Sequence, residues 1–217
     1  MSTVGARLPL TAERARIFRI THVHNLGWML RNGICCRSGA FDPDYRNIGN
    51  PELIEKRASR HVPIPPGGSL KEYIPFYFTS RSPMLLNIKT GRNVPAIPME
   101  EIIVLVASLQ TLKAREIPFV FTDRHAALAA ARFSANLAEL NGMIDWTLLQ
   151  NSDFSSDPED PGKKERYQAE ALVYQEMPFD ALDGVLAYDD GQKARVEAAI
   201  RDAGLAIPVH VDRRYYV

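Results

Sequence analysis

The feature that most constrains the fold is the segment at residues 100–108, EEIIVLVAS, which contains a continuous apolar run near the middle of the chain. Unbroken apolar runs of this length are typical of strands inside a sheet, so this run predicts a central strand. It is far too short to cross a bilayer, and the N-terminal segment lacks the apolar core of a signal peptide. We therefore expect a soluble, cytoplasmic protein without a membrane anchor.

Around this run, the sequence predicts about six or seven longer strands interleaved with short helices. There is no regular βαβα alternation and no glycine-rich phosphate loop, so the pattern favours the α+β class over a doubly wound sheet. A chain of 217 residues fits one domain, residues 1–217. The longer strands are expected at residues 17–21, 72–80, 100–108, 117–123, 165–175, 184–190 and 205–217.

Helices are expected at residues 24–32, 51–59, 82–90, 126–140 and 192–204. The second of these begins with Asn50, Pro51 and Glu52, which are a capping residue, a first-turn proline and a first-turn acid. Residues 126–140 form the clearest helical pattern, with an apolar stripe that includes Leu128 and Leu137. Pro75, inside the expected strand 72–80, predicts an edge position or a strand start.

Charge and cysteine usage exclude several classes of site. Lys and Arg number 26 and Asp and Glu also number 26, so any nucleic-acid binding must come from a local patch. The adjacent Cys35 and Cys36 indicate reduced thiols rather than a disulfide framework. Neither the cysteines nor the five histidines have metal-ligand spacing, so no metal site is expected.

A carboxylate, Glu170, lies in the largely apolar segment 165–175, ERYQAEALVYQ, where Gln168 would share its face of a strand. An exposed Glu on an edge strand is the simpler interpretation, because most charged strand residues face water. The alternative is a carboxylate held in a cleft for chemistry, since burying it unpaired costs several kcal/mol. The pattern alone leaves both open.

Other polar side chains lie at strand ends or on helices. Arg19 and Thr21 project from one face of the first strand and would suit a phosphate or an amide-bearing ligand, or would simply face water. Arg57, on the helix after Asn50, has the same two interpretations. His125 follows the strand 117–123 and would lie at the edge of the sheet, where it would serve a site or a structural hydrogen bond.

Taken in order along the chain, several segments resemble those of the DarT family, the DNA ADP-ribosyltransferase toxins of bacterial toxin-antitoxin systems. The resemblance runs from about residue 16 to residue 216. The segments are FRITHVHNL, NPELIEKRA, IPFYFTSRSPML, PFVFTDRHA, ERYQAEALVY and RRYYV.

The resemblance implies an α+β ADP-ribosyltransferase fold, with peripheral helices and a split central sheet whose cleft holds NAD⁺ as co-substrate without a metal. It implies that residues 37–57 cover NAD⁺ and that residues 125–170 present the target nucleotide. The implied partners are single-stranded DNA and an antitoxin with macrodomain ADP-ribosyl hydrolase activity. The toxin itself is expected to be a monomer that blocks DNA replication.

The resemblance also implies roles for individual residues. The catalytic residues would be Glu170 and Arg57. Bound NAD⁺ would be contacted by Arg19, Ile20, Thr21, Asn25, Cys36 and Arg57. Substrate DNA would be contacted by Tyr77, Arg81, Arg124, His125 and Gln168.

The resemblance also bears on which base of the DNA is modified. Where the family often has His-x-Thr, this chain has Arg19-Ile20-Thr21. With the segments NIGNPELIEKRA and DPEDPGKKERYQAEALV, this departure favours the branch that modifies guanosine, with thymidine next. Two alternatives remain, an ADP-ribosyltransferase that acts on RNA or protein and a catalytically inactive nucleic-acid-binding module. The set of Arg19, Thr21, Arg57 and Glu170 disfavours the inactive module.

Overall fold

The computed structural model describes residues 11–39 and 42–216. Within these ranges, ten strands are formed. They are Arg16–His22 (β1), Ile34–Cys35 (β2), Tyr73–Tyr77 (β3), Ile102–Ser108 (β4), Phe119–Thr122 (β5), Phe133–Ser134 (β6), Glu170–Tyr174 (β7), Glu176–Met177 (β8), Gly184–Ala187 (β9) and Val209–Val211 (β10).

The same ranges contain eight α-helices and several single 3₁₀ turns. The helices are Leu26–Asn32 (α1), Pro51–Ala58 (α2), Pro83–Thr90 (α3), Leu109–Ala114 (α4), Leu140–Met143 (α5), Trp146–Asn151 (α6), Lys163–Arg166 (α7) and Asp190–Asp202 (α8). The 3₁₀ turns are Ala12–Arg14, Val23–Asn25, Leu70–Glu72, Met99–Glu101, Leu137–Glu139, Phe179–Ala181 and Arg213–Tyr215. No helix in the described ranges combines the length and the apolarity that crossing a membrane requires.

Eight strands form one sheet in the order β10-β9-β4-β1-β3-β7-β5-β6, and β2 pairs separately with β8. All neighbours in the large sheet are antiparallel except β9 and β10. The apolar run predicted to be a central strand is β4, which pairs with β1 over its whole length, from Ser108 opposite Arg16 to Ile102 opposite His22. The predicted α+β class is confirmed.

The large sheet is split between β1 and β3, which are joined only at Phe18 opposite Tyr77. Pro75, in the middle of β3, has its carbonyl oxygen turned toward β1, where it accepts a hydrogen bond from Arg19. Its missing N–H therefore falls on the same open side, where no backbone partner is required. Pro75 is thus tolerated inside the sheet because the strands diverge there, rather than because β3 is an edge strand.

Apolar side chains cover both faces of the sheet. On one face, α1, α4 and α8 contribute buried residues such as Met29, Leu112 and Val196 to the largest cluster. On the other face, Leu85 and Ile88 of α3 pack with Phe18 and Ile20. A third cluster lies around Val120 and Leu172. Because Phe18 and Ile20 alternate with Ile17 along β1, the single strand serves both cores.

The predicted start of α2 is confirmed, and similar local signals account for other helix ends. The side chain of Asn50 accepts a hydrogen bond from the backbone N–H of Leu53 and caps α2, with Pro51 in the first turn. Ser82 caps α3 in the same way, again before a first-turn proline. Gly33 ends α1 with φ of +79°, a conformation that favours glycine.

The predicted helix at residues 126–140 is wrong. Residues 124–132 instead form a loop, which Asp123 closes by accepting hydrogen bonds from the backbone N–H and the guanidinium of Arg132. Phe133 and Ser134 then pair with β5, and only Leu140–Met143 is α-helical. The alanine-rich sequence has high helix propensity, but these long-range polar contacts override it.

The predicted strand at residues 165–175 begins five residues late, at Glu170. Glu165 belongs to α7, and Tyr167 and Ala169 are buried in the turn that follows. Gln168 therefore does not share a strand face with Glu170, and its side-chain amide donates to the carbonyl of Lys164. The predicted last strand, 205–217, is likewise reduced to β10 and a following 3₁₀ turn; Val217 lies outside the described residues.

Candidate active site

The candidate site is built around Glu170, the first residue of β7, which is fully buried. Its carboxylate accepts two hydrogen bonds from the guanidinium of Arg57, at 2.8 Å to Oε1 and 2.7 Å to Oε2. A third comes from the backbone N–H of Ala126 at 3.1 Å. The simpler interpretation of Glu170, a solvated residue on an edge strand, is therefore wrong.

Helix α2 delivers Arg57 to this carboxylate. None of its residues is buried, and Leu53 is 43% exposed, so the helix lies on the surface with little apolar packing. The Arg57 side chain nevertheless reaches inward until only 14% of it is exposed. A bidentate arginine–carboxylate pair of this kind fixes orientation as well as charge. The side-chain amide of Asn50, which caps α2, thus helps to position the helix that carries Arg57.

The electrostatics keep Glu170 ionised. Burial acts to raise the pKa of Glu170, but the charge and hydrogen bonds of Arg57 outweigh it and hold that pKa below its ordinary value of 4.5. Burial likewise acts to lower the pKa of Arg57, and the Glu170 carboxylate raises it above its ordinary value. The pair is thus a buried carboxylate and a permanently protonated guanidinium.

Two further groups face the carboxylate. Tyr77 lies opposite Glu170 in the register of β3 and β7, and burial, with the Glu170 charge, raises the pKa of Tyr77 to about 12. The Nδ1 atom of His125 lies 3.9 Å from Glu170 Oε1 and accepts the N–H of Ala127. Burial lowers the pKa of His125 below its ordinary value of 6.5, so the ring is neutral at pH 7 with its proton on Nε2.

At the split in the sheet, Arg19 reaches from β1 toward β3 and donates from its Nη1 to the carbonyl of Pro75 at 3.0 Å. Its Nε is buried and, within the part of the chain that the structure describes, has no hydrogen-bond partner. An unsatisfied buried donor of this kind costs free energy, so it marks a place where a polar ligand would be stabilised. Arg19 thus combines a fixed position with unused hydrogen-bonding capacity.

Thr21 and Asn25 are both buried, and their hydrogen bonds anchor the loop that contains Arg46. The Asn25 amide nitrogen donates to Thr21 Oγ1 at 3.1 Å and to the Arg46 carbonyl at 3.0 Å, while its oxygen accepts the Arg46 N–H at 2.9 Å. These three bonds tie the segment before α2 to the end of β1. Asn25 therefore has a structural role in addition to the NAD⁺ contact predicted for it.

The structure does not bring Ile20 and Cys36 together. Ile20 packs in the cluster with α3, whereas Cys36 belongs to the largest cluster on the other face of the sheet. The Sγ of Cys36 lies 3.3 Å from Ser38 Oγ, beside a cavity of about 230 Å³ lined by residues 35–36, 38–39 and 175–176. The predicted contact between Cys36 and NAD⁺ remains a prediction.

Of the residues predicted to contact DNA, Tyr77 and His125 lie next to Glu170, and the others have different neighbours. Arg124 pairs with Asp123 and Glu165, so its charge is partly compensated. Arg81 is half-buried, and its carbonyl accepts a hydrogen bond from the Tyr167 hydroxyl. Among the described residues, no carboxylate forms an ion pair with Arg81, which leaves its guanidinium available for a phosphate.

Sequence reasoning missed Thr122 and Ala126. Thr122 is fully buried at the end of β5, and its Oγ1 accepts the N–H of Glu170 at 3.2 Å while donating to the Arg124 carbonyl at 2.6 Å. The polar cluster that ends the expected strand 117–123 was the available signal for Thr122. The contribution of Ala126 is a backbone N–H, which no side-chain pattern could have indicated.

The described residues contain no cluster of three or more His, Cys, Asp or Glu side chains placed to hold a metal ion. The groups that the site offers are the Glu170 carboxylate, the guanidinium groups of Arg19 and Arg57, and the neutral imidazole of His125. Such a set can stabilise positive charge beside Glu170 and bind anionic groups through Arg19 and Arg57.

Comparisons with known proteins agree with this chemistry. The family profile described as "ssDNA thymidine ADP-ribosyltransferase, DarT" matches residues 18–217. A "DNA ADP-ribosyl transferase" of Escherichia coli O127:H6 is 44% identical over 209 residues, covering 95% of each chain. A protein of the same name from Thermus sp. strain 2.9 is 40% identical over 176 residues, covering 81% of this chain and 82% of the relative.

Solved structures also match this chain over almost its whole length. DarT of Thermus sp. 2.9 in complex with ADP-ribosylated ssDNA superimposes with a TM-score of 0.89 at 34% identity, covering 97% of this chain and 100% of that one. The same protein in complex with NAD⁺ gives a TM-score of 0.83, covering 96% and 100%. The expected ADP-ribosyltransferase fold is confirmed by these matches. On the match over residues 18–217 and the identities of these relatives, the chain belongs to the DarT family of DNA ADP-ribosyltransferases.

Proposed function

We propose that this chain transfers ADP-ribose from NAD⁺ to a base in single-stranded DNA and releases nicotinamide. The observation that carries the proposal is the fully buried Glu170 carboxylate, held ionised by Arg57. Support for the two substrates comes from the Thermus sp. 2.9 relative, which has been solved with NAD⁺ and with ADP-ribosylated ssDNA.

The chemistry that Glu170 would perform follows from its charge. In the balanced reaction, the bond between nicotinamide and the ribose carbon breaks, a bond from that carbon to the base forms, and the base loses one proton. Positive charge develops on the ribose as nicotinamide leaves, and a carboxylate next to it stabilises that charge and can hold a ribose hydroxyl. Glu170 is suited to this because its pKa lies below its ordinary value.

The fit of NAD⁺ to this chain is supported by Arg19. Its buried, unpartnered Nε lies at the split between β1 and β3, where a ligand phosphate or amide oxygen would complete its hydrogen bonding. We assign NAD⁺ contacts to Arg19, Thr21 and Arg57, with Asn25, Ile20 and Cys36 as the remaining predicted contacts. Arg57 would orient the co-substrate, since a guanidinium keeps its proton and does not act as a simple base. Residues 37–57 would cover the bound NAD⁺.

Residues 125–170 would present the target nucleotide. The attacked atom of a base is hidden in a stacked duplex, so the substrate must be unpaired. Tyr77 and His125, which face Glu170, would contact the target base, while Arg81 and Arg124 would contact the strand beside it. Gln168 is the remaining predicted DNA contact, although it lies in the turn before β7.

Two bases are candidates for modification. The Arg19-Ile20-Thr21 motif and the segments around it favoured guanosine, whereas the description of the matching family names thymidine. That description applies to the family as a whole and does not separate its branches. Guanosine is therefore the first expectation and thymidine the second.

We also propose the cellular context that the family resemblance implies. Modified bases would block DNA replication, so the chain would act as a toxin in the cytoplasm. Its action would be reversed by an antitoxin with macrodomain ADP-ribosyl hydrolase activity. The toxin is proposed to act as a monomer, which sedimentation at micromolar concentration would test.

The proposed function is tested by incubating the protein with NAD⁺ and four single-stranded oligonucleotides, each of which lacks one base type. Mass spectrometry then measures the addition of ADP-ribose. We expect the adduct on three strands and its loss on the strand without guanine; loss on the strand without thymine instead would identify thymidine. No adduct on any strand would contradict the proposal.

A pair of glutamate variants links any adduct to the site. Glu170→Gln keeps the shape of the side chain but removes its charge, so we expect labelling to fall at least about 100-fold. Glu176→Gln changes an exposed glutamate on the adjacent β8 and serves as the matched control. Equal activity of the two variants would show that Glu170 is not catalytic.

A further inference from the structure

The 3₁₀ turn Arg213–Tyr215 presents an exposed aromatic ring next to the cleft face of the sheet. Tyr215 is 37% exposed. Few other large apolar residues in the described ranges are exposed to this extent. Its ring packs on Phe18 with centroids 5.9 Å apart. Because Tyr215 is only partly covered, part of its surface is open to solvent beside Phe18.

The ring on which Tyr215 packs is connected to the Glu170 carboxylate through the strand register. Phe18 on β1 is directly opposite Tyr77 on β3, and Tyr77 is directly opposite Glu170 on β7. Adjacent strands are about 5 Å apart, so Phe18 lies roughly 10 Å from Glu170 along this row. Tyr215 packs on Phe18 and is therefore a neighbour of this row, at its end away from Glu170.

A fixed positive charge lies beside this row. Arg213 donates from its Nε to the carbonyl of Tyr188 at 3.3 Å, and its guanidinium carbon lies 4.7 Å from the centre of the Tyr188 ring. Arg213 forms no ion pair with any carboxylate in residues 11–39 and 42–216, whereas the neighbouring Arg214 is bonded to Asp212. Arg213 is therefore held in position by uncharged groups, and no carboxylate of those residues pairs with its charge.

We propose that Tyr215 and Arg213 form a binding site for the DNA strand that flanks the target base. Tyr215 stacks on a flanking base, and Arg213 pairs with a phosphate of the same strand. The combination of an exposed ring and a guanidinium without a carboxylate partner among the described residues fits single-stranded DNA, which alternates planar bases with anionic phosphates. This inference rests on the proposed function, because the strand must reach Glu170 at the other end of the row.

The site is tested with a long oligonucleotide and with a trinucleotide that holds the target base. Stacking of one base changes affinity by about tenfold, so Tyr215→Ala should raise the KM for the long strand about tenfold with kcat unchanged. The KM for the trinucleotide should stay unchanged. Arg213→Ala should weaken binding of the long strand and reduce its salt dependence. Arg195→Ala, which removes an exposed arginine on α8, is the matched charge control and should behave as wild type.

Two variants separate stacking from packing on Phe18. Tyr215→Phe keeps an aromatic ring and should keep the wild-type KM, whereas Tyr215→Leu keeps an apolar side chain without a planar face and should behave like Tyr215→Ala. A wild-type KM for Tyr215→Leu, or an equal loss on long and short strands, would overturn the proposal. Fluorescence anisotropy of the long strand without NAD⁺ measures the same differences even if no base is labelled, so failure of the proposed function remains distinguishable.

Discussion

At the scale of single residues, the chain is organised around one buried ion pair. Glu170 has no exposed surface and Arg57 is the only guanidinium within the described residues that bonds both of its carboxylate oxygens. Removing one partner of such a pair strands the other charge in a low-dielectric environment, so the two residues are coupled. The same pairing fixes where an NAD⁺ ribose would meet negative charge.

The geometry of Arg57 matters as much as its charge. Arg57→Lys keeps the charge but offers a point-like ammonium that cannot bond both oxygens in the same plane. We expect kcat for labelling to fall roughly 100-fold, with the circular dichroism spectrum unchanged. Lys56→Ala, one residue earlier on the exposed side of α2, is the control and should retain activity. Wild-type kcat in Arg57→Lys would show that charge alone suffices.

The lowered pKa of Glu170 predicts the pH dependence of stability. A carboxyl group whose folded pKa lies below its unfolded value contributes stability above the unfolded pKa and loses it as pH falls through the folded pKa. At pH 7 we expect wild type to be more stable than Glu170→Gln by up to about 3 kcal/mol. That difference should be lost as pH falls below 4.5, the ordinary value for Glu.

Urea denaturation of wild type and Glu170→Gln across this pH range measures the difference directly. His125 adds a separate window, because its folded pKa lies below its ordinary value of 6.5. Its neutral form is favoured in the fold, so stability already declines as pH falls below that value. Because the Glu170 charge acts to raise the pKa of His125, this decline should be larger in Glu170→Gln than in wild type. A stability difference that did not change with pH would contradict a lowered pKa for Glu170.

At the scale of elements, the segments that would handle substrates are held by polar contacts rather than by burial. Helix α2 is held by its Asn50 cap and by Arg57. Arg60, two residues after the helix ends, donates to the carbonyls of Leu128 and Ala129. Because Arg57 contacts Glu170 and Arg60 contacts the loop that carries His125, the two proposed substrate elements are linked through the end of α2.

The segment 145–166 is closed by ion pairs of Arg166 with Asp145 and Asp160. These partners are partly exposed, so Arg166→Ala should change global stability little. It should loosen the segment, which would raise the KM for DNA several-fold and increase hydrogen exchange in residues 145–166. Arg115→Ala, which removes a similar exposed pair with Asp180, is the control. An unchanged KM in Arg166→Ala would show that the closed segment does not position DNA.

At the scale of the whole molecule, two halves of one sheet meet at the single pair of Phe18 and Tyr77. The half that carries β4 is closed by Tyr216, whose buried hydroxyl lies 3.0 Å from the carbonyls of both Ile102 and Leu186. Tyr216 thus anchors the C-terminal turn to β4 and β9. The proposed binding site at Tyr215 and Arg213 depends on this anchor.

Removing that hydroxyl tests the role of the C-terminal turn. Tyr216→Phe removes the one O–H that the two carbonyls share, and the Ile102 carbonyl keeps its hydrogen bond from Gln192 Nε2, so we expect the free energy of unfolding to fall by about 1 kcal/mol. The kcat for labelling should stay unchanged, because Glu170 lies in the other half of the sheet. Urea denaturation and labelling of the same preparation measure both quantities, with Tyr215→Phe as the exposed control. An unaltered unfolding free energy would mean that water replaces the bond.

The sequence by itself determined the features that depend on near neighbours. The apolar run that became β4, the caps at Asn50 and Ser82, and the turn at Gly33 were all predictable, because each signal lies within a few residues of the structure it produces. The α+β class followed from the same signals. The family resemblance added the roles expected of Glu170 and Arg57.

Only the tertiary structure decided which distant groups meet. Arg57 and Glu170 are 113 residues apart in the chain, and no local pattern states that a surface helix sends its arginine into a buried carboxylate. The alanine-rich segment 126–140 failed as a helix because Asp123, Glu170 and β5 provide its backbone with other partners. Helix propensity is a weak preference of each residue, worth less than about 1 kcal/mol. Leaving a buried charge such as that of Glu170 without its partners costs several times more. The stronger interaction therefore determined the fold at the site.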